Sequence, residues 1–176
     1  RQMCIRDRDK NILEIKPVQA SAFRILVEAL KEILTDANFE CDETGIKMIA
    51  MDSSRTVLVH LKLHADKFES YLCTEKKVLG ISMINLFRVI KTMNNNDTLT
   101  LFLEREKDSV LGIKIENSEK NTTSTFHLNL MDLHVDNIQI PSVEFESVIT
   151  MPSTDFQKII RDMHNYADLI DIKSVE

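Results

Sequence analysis

The side chains that could do covalent or metal chemistry in this chain are few, and their spacing does not suit that work. His60 and His64 lie four residues apart. On a strand that spacing puts both on one face about 13 Å apart, too far to share a small metal ion. Asp52-Ser53-Ser54 sets a carboxylate beside two hydroxyls, but no base is near in sequence, so it reads as a turn and not as part of a triad. Three glycines leave little room for a phosphate-cradling loop, and none is apparent. Cys4, Cys41 and Cys73 are odd in number and widely spaced, without a CxxC motif. They favour a reducing compartment over a disulfide framework. Asn121-Thr122-Thr123 matches a glycosylation sequon but reads as a polar loop in such a compartment. The chemistry-bearing residues therefore argue against an enzyme and imply neither a metal nor a cofactor.

Charge is more informative. The chain has 176 residues and a net charge of −6, which disfavours a general nucleic-acid coat but permits a local basic face. Arg24, Glu28 and Lys31 fall on one side of a first predicted helix. Arg88 and Lys91 lie three apart on a second, and Lys158 and Arg161 repeat that spacing on a third. Each alone is an ordinary solvated helix face. Their recurrence in an acidic chain suggests phosphate contacts, and point charges without interleaved aromatics imply binding without sequence preference.

A third group is apolar where polarity is expected. Thr56–His64 alternates, with Val57, Val59, Leu61 and Leu63 on one face and Thr56, Leu58, His60, Lys62 and His64 on the other. Leu58 is the odd apolar member of a polar face, and Met51 could oppose it across a hairpin. The segment Leu130–Pro141, LMDLHVDNIQIP, should be a connector, yet it ends on Ile138-x-Ile140-Pro141. Met51, Leu58, Ile138 and Ile140 together would form a small groove for apolar anchors of a partner.

The elements that must position these groups follow from periodicity. Strands are expected at Ile12–Pro17, Phe39–Asp42, Gly45–Met51, Thr56–His64, Thr98–Glu104, Val110–Asn117 and Ser124–Met131, with Phe68–Thr74 and Val78–Ile81 as another short strand and its turn. Ser21 is expected to cap a helix through Leu34, and Ser82 to open another through about Met93. The order predicts an α+β fold whose antiparallel sheet has two helices packed on one face. No apolar run approaches the roughly 18 residues of a membrane span.

After Pro141 the opening pattern returns. Phe145–Met151 reads as a strand, Pro152-Ser153 as a helix start, and Leu169–Val175 as a further strand. Phe156, Ile159, Ile160 and Met163 repeat the spacing of Phe23, Leu26, Val27 and Leu30. The organisation expected is an N-terminal extension at 1–11, outside the fold, then a complete domain at 12–129. A connecting loop at 130–147 and a truncated second domain at 148–176 follow. So short a second copy cannot bury a core of its own, which suggests a piece of a longer protein.

Four stretches carry a resemblance: Glu28-Ala29-Leu30-Lys31, Met51-Asp52-Ser53-Ser54, Leu130-Met131-Asp132-Leu133 through Ile140-Pro141, and Met151-Pro152-Ser153. In this order the chain resembles the proliferating cell nuclear antigen family of sliding clamps from about Ile12 to Glu176. The resemblance implies a DNA clamp fold and a nuclear homotrimeric ring around duplex DNA. Arg24, Lys31, Arg88, Lys91, Lys158 and Arg161 would track phosphates. It also implies a pocket under the connecting loop, formed by Met51, Arg55, Leu58, Ile138, Ile140 and Pro141. That pocket would take a short motif (a glutamine, an aliphatic, two aromatics) from DNA polymerases, nucleases, ligase and the clamp loader. The subunit interface would use Ser124–Met131. Ile25 stands where the family has an inner lysine, and Arg55 and Thr56 where it commonly has histidine and valine. A checkpoint or viral clamp of the same fold, or an interaction module without DNA binding, is the alternative.

Overall fold

The computed structural model describes residues 10–134, 145 and 147–173. The chain divides into two compact units, 1–138 and 139–176. In the first unit the described residues form, besides a single 3-10 turn at Ala65–Lys67, nine strands and two α-helices. In chain order these are β1 (Asn11–Pro17), α1 (Ala20–Ile33), β2 (Asp36–Asp42), β3 (Gly45–Met51), β4 (Leu58–His64), β5 (Phe68–Cys73), β6 (Lys77–Ser82), α2 (Met83–Ile90), β7 (Thr98–Glu104), β8 (Val110–Asn117) and β9 (Thr122–Asn129).

The strands divide between two antiparallel sheets, ordered β5-β1-β7-β8-β9 and β4-β3-β2-β6. Two meanders, β2-β3-β4 and β7-β8-β9, each accept the strand that precedes the other meander's helix. β1 pairs with β7, and β6 pairs with β2. This exchange interlocks the two halves of the unit, so neither sheet is complete without residues from both.

One core joins the sheets to the helices. Leu13, Met48, Leu99, Leu103, Leu111 and Ile113 are essentially inaccessible, and Val27 and Leu30 of α1 and Met83, Leu86 and Ile90 of α2 pack into the same cluster. The two helices lie against each other and run antiparallel, since the Met83 amide at the start of α2 bonds to the Thr35 carbonyl just past α1.

Several boundaries differ from the sequence expectation. α1 begins at Ala20, with Gln19 in the cap position. Its carbonyl takes the Phe23 amide, so Ser21 arrives too late to cap. α2 ends at Ile90, because the Asn94 amide turns to the buried Asp97 carboxylate at 2.8 Å. β2 starts three residues before Phe39, and β9 spans Thr122–Asn129 and not Ser124–Met131. Gly45, at φ 139°, makes the β2–β3 hairpin possible, since an L side chain there would be strained.

In the second unit, α3 (Ser153–His164) is the regular element among the described residues. The strands expected at Phe145–Met151 and Leu169–Val175 are not found in their described parts. A strand exists only as a member of a ladder, and no described residue of this unit offers a partner. Asp155 in the first turn of α3 and Arg161 and His164 in the last complement the helix dipole.

Candidate nucleic-acid and peptide interfaces

The meander β2-β3-β4 builds the candidate peptide surface. Alternation buries Ile46 and Met48 of β3 and points Lys47, Ile49 and Met51 away from the core. Met51 sits directly opposite Leu58 in the β3–β4 ladder. Both are exposed, at 42% and 39%. The sequence expectation that Met51 and Leu58 meet on the outer face is therefore met. Ile49, two residues back on the same face and 38% exposed, extends the patch. It was missed, although the parity of Gly45–Met51 contains it.

The turn between the two strands is held by one carboxylate. Asp52 Oδ1 accepts the amides of Thr56 at 2.8 Å and Val57 at 2.9 Å, and Ser54 Oγ donates to Oδ2. The Ser54 hydroxyl above all, with the backbone amides, holds the Asp52 carboxyl below the usual carboxylate range. Arg55 stands at positive φ in this turn and is exposed, its amide bonded to the Asp52 carbonyl at 3.0 Å. The same amide bonds pull Val57 out of the ladder, leaving it 44% exposed and outside β4. That corrects the expectation that Val57 shares the inner face with Val59, Leu61 and Leu63.

The start of the connector is tied down. The Leu130 amide bonds to the Ser109 carbonyl at 2.9 Å, and the Met131 amide to the Gly80 carbonyl at 2.8 Å. Met131 and Gly80 form an isolated antiparallel bridge at the free edge of β6. Leu130 packs against the core, so the connector's first apolar residue is partly buried and not stranded in solvent. Ile138, Ile140 and Pro141 lie outside the described residues.

The basic side chains of α1 and α2 occupy unlike settings. Arg24 is half-buried, and Nη1 donates to the Met93 carbonyl at 2.8 Å and Nη2 to Asn95 Oδ1 at 3.1 Å. Lys31 is half-buried as well, with its ammonium 4.8 Å from the Phe87 ring centroid and paired to Glu32. Arg88 is exposed, its guanidinium 3.4 Å from Asn85 Oδ1. Lys91 is exposed and makes no ion pair with another described residue. Ile25 is 60% exposed on the adjoining stripe of α1. Lys158 and Arg161 are exposed on α3 within the second unit. The four cations of α1 and α2 are thus brought onto one antiparallel helix pair.

His60 and His64 are exposed on the outer face of β4. Among the described residues no group of three or more His, Cys, Asp or Glu could hold a metal ion. No helix among the described residues is long and apolar enough to cross a membrane.

This arrangement of paired helices behind interlocked antiparallel sheets, followed by an anchored connector, defines the sliding-clamp class of fold. The family profile described as "Proliferating cell nuclear antigen, N-terminal domain" matches residues 12–139, and its C-terminal counterpart matches 139–175. The chain belongs to the proliferating cell nuclear antigen family. It is 36% identical over 163 residues to the proliferating cell nuclear antigen of Chaetomium thermophilum, covering 93% of this chain and 62% of that protein. The protein of that name from Saccharomyces cerevisiae is 34% identical over 161 residues, covering 92% and 62%. A "Probable DNA polymerase sliding clamp 1" of Paramecium bursaria Chlorella virus 1 is 32% identical over 162 residues, with the same coverage. The crystal structure of the Entamoeba histolytica homologue superposes with a TM-score of 0.83 at 30% identity, covering 90% of this chain and 63% of that one. The chain therefore spans somewhat under two thirds of the length of these relatives.

Proposed function

We propose that this chain supplies the first domain and connector of a nuclear sliding clamp, a processivity factor and not an enzyme. The ring would be a homotrimer around duplex DNA, tethering polymerases, nucleases, ligase and a clamp loader in replication and repair. The observation that supports this most is the Met51–Leu58 pair, apolar and exposed at the turn end of the β3–β4 hairpin. With Arg55 of the adjoining turn, the pair would receive the aliphatic and aromatic anchors of a short peptide. Ile138, Ile140 and Pro141 of the connector would close over them. Tethering makes rebinding of a polymerase intramolecular, so modest peptide affinity gives long residence on DNA.

Arg24, Lys31, Arg88 and Lys91, joined by Lys158 and Arg161 of α3, would face phosphates. Contacts to phosphate alone carry no sequence information and permit sliding. β9 is the outer strand of its sheet, with Phe126 39% exposed. Its unpaired edge would take a strand from a neighbouring subunit. The organisation into an extension at 1–11, a first domain at 12–129, a connector at 130–147 and the start of a second domain at 148–176 belongs to the same proposal, except that Asn11 is the first residue of β1 and pairs with Glu104.

The test is titration with a synthetic peptide carrying a glutamine, an aliphatic residue and two consecutive aromatics. Leu58→Ser and Ile140→Ala should each weaken binding about tenfold, as truncation of an apolar anchor does. Unchanged affinity in both variants would sink the pocket assignment.

A further inference from the structure

The edge of β6 is shaped to receive the connector, and two residues do the shaping. Gly80 is buried, and a Cβ built on it would lie 2.0 Å from the Met131 carbonyl oxygen and 3.1 Å from Leu133 Cγ. The obstacle is backbone, which cannot swing aside as the tip of a flexible side chain could. Only a glycine lets the connector lie this close. Directly across the ladder from Gly80 is Asn38 of β2. Its Nδ2 reaches past β6 to the carbonyls of Leu133 and His134, each at 3.4 Å. Three successive anchor points result: the Met131 amide on the Gly80 carbonyl, then the Leu133 and His134 carbonyls on Asn38.

We infer that Asn38 and Gly80 form a clasp that fixes where the connector leaves the sheet, and that they are positioning residues for peptide docking. The inference rests on the docking role proposed above. A connector free to slide along the β6 edge would present its later apolar residues in many registers. Each bound peptide would then have to select one of them, which lowers apparent affinity by the fraction that is competent. Neither residue pairs with Met51 or Leu58 in a ladder, and both hold the connector, so the effect on binding is expected to pass through it.

The test pairs amide exchange with peptide titration on the full chain. In the parent protein the Met131 amide should exchange slowly. Asn38→Ala should speed that exchange and weaken the synthetic peptide about fivefold, the scale of removing one hydrogen-bonded anchor. Its unfolding midpoint should stay close to that of the parent. Gly80→Ala, which must push the connector off the edge, should weaken the peptide more strongly. Asn38→Gln keeps an amide donor and should recover part of the loss. Glu40→Ala, on the same strand but away from the connector, should change neither readout.

Faster Met131 exchange with undiminished peptide affinity would overturn the positioning role, because the clasp would then be anchoring only. Unchanged exchange in both Asn38→Ala and Gly80→Ala would overturn the clasp itself. If Gly80→Ala does not fold, Asn38→Ala and Asn38→Gln decide alone. A parent chain that ignores the peptide while its Met131 amide stays protected would remove the docking reading, and the positioning role with it.

Discussion

The Arg24 guanidinium and the Met93 carbonyl are joined by a 2.8 Å hydrogen bond that links the N-terminal half of α1 to the turn that ends α2. A cation at a helix C-terminal end satisfies a carbonyl that has no intrahelical donor and complements the dipole. Arg24 is thus a structural brace as well as a candidate phosphate ligand, whereas Lys91 is exposed and bonded to no described acid. The two should separate by experiment. Arg24→Ala should cost about 1–2 kcal/mol of stability, the range for a partly exposed hydrogen bond from a charged donor. Lys91→Ala should leave the unfolding midpoint unchanged. It should flatten the slope of log K for duplex DNA against log salt by about 1, the share of a single neutralised phosphate. Thermal unfolding and salt-dependent retention on DNA check the pair. Equal behaviour of the two variants in both assays would contradict the division of roles.

How far the sequence revealed this design depends on the distance over which each feature acts. The Met51–Leu58 pair was legible because strand alternation and a short hairpin turn are local, and β3–β4 register follows from them. The strands β7 and β8 emerged with their observed limits for the same reason. Asn38 and Gly80 were invisible as a clasp because Asn38 meets Leu133 across 95 residues of sequence. Nothing in DANFECD marks Asn38 as the residue that will hold a connector. The division of the strands into two sheets was equally hidden, since periodicity gives strands but not their partners. Val57 was placed on the wrong face because a side chain, the Asp52 carboxylate, overrode the alternation.

Thiol chemistry should single out Cys41. It is buried in the core beneath the outer face of β2, and burial pushes its thiol up to about 12. The thiolate, which is the reacting form, is then scarce at neutral pH. A disulfide reagent should leave Cys41 unmodified in the folded chain and label it only after denaturant is added. Mass spectrometry of the labelled peptides reads this directly. Labelling of Cys41 at the rate of a free thiol under native conditions would mean the core around Ile46 and Leu79 opens far more readily than its burial implies.

Acid should loosen the β2–β3 hairpin before it reaches the core. The Asp42 carboxyl is held down at about 2 by the Thr44 hydroxyl and amide and by Lys47, whose ammonium lies 3.2 Å from Oδ2. A carboxyl whose folded value is depressed contributes stability that is fully present above its unfolded value. That stability is lost as pH falls through the folded value. The window here runs from about pH 4 down to about pH 2, given the ordinary aspartate range. Asp42→Asn should therefore be less stable than the parent at neutral pH, and the two stability curves should converge near the bottom of that window. Chemical denaturation across this range tests it. A gap that persists undiminished at the lowest pH would show that the carboxylate charge is not what holds the turn.

Ile49 widens the candidate peptide surface beyond the residues that the sequence suggested. It lies two positions before Met51 on the outer face of β3, opposite His60, and its exposure of 38% is close to that of Leu58. An aliphatic side chain this exposed contributes little to folding, so Ile49→Ser should lower stability by less than about 1 kcal/mol. In a bound complex the same side chain would extend the apolar floor from Met51 toward the middle of the strand. Its loss should weaken the synthetic peptide about three- to tenfold, by removing buried apolar area. The effect should grow with peptides whose aromatic residues are larger, because those reach further along β3. His60→Ala, on the cross-strand neighbour, should change affinity much less, since its exposed ring adds a polar edge. Isothermal titration of both variants against peptides with Phe-Phe or Tyr-Tyr endings resolves the question. Indifference of Ile49→Ser to both peptides would confine the docking surface to the Met51–Leu58 end of the hairpin.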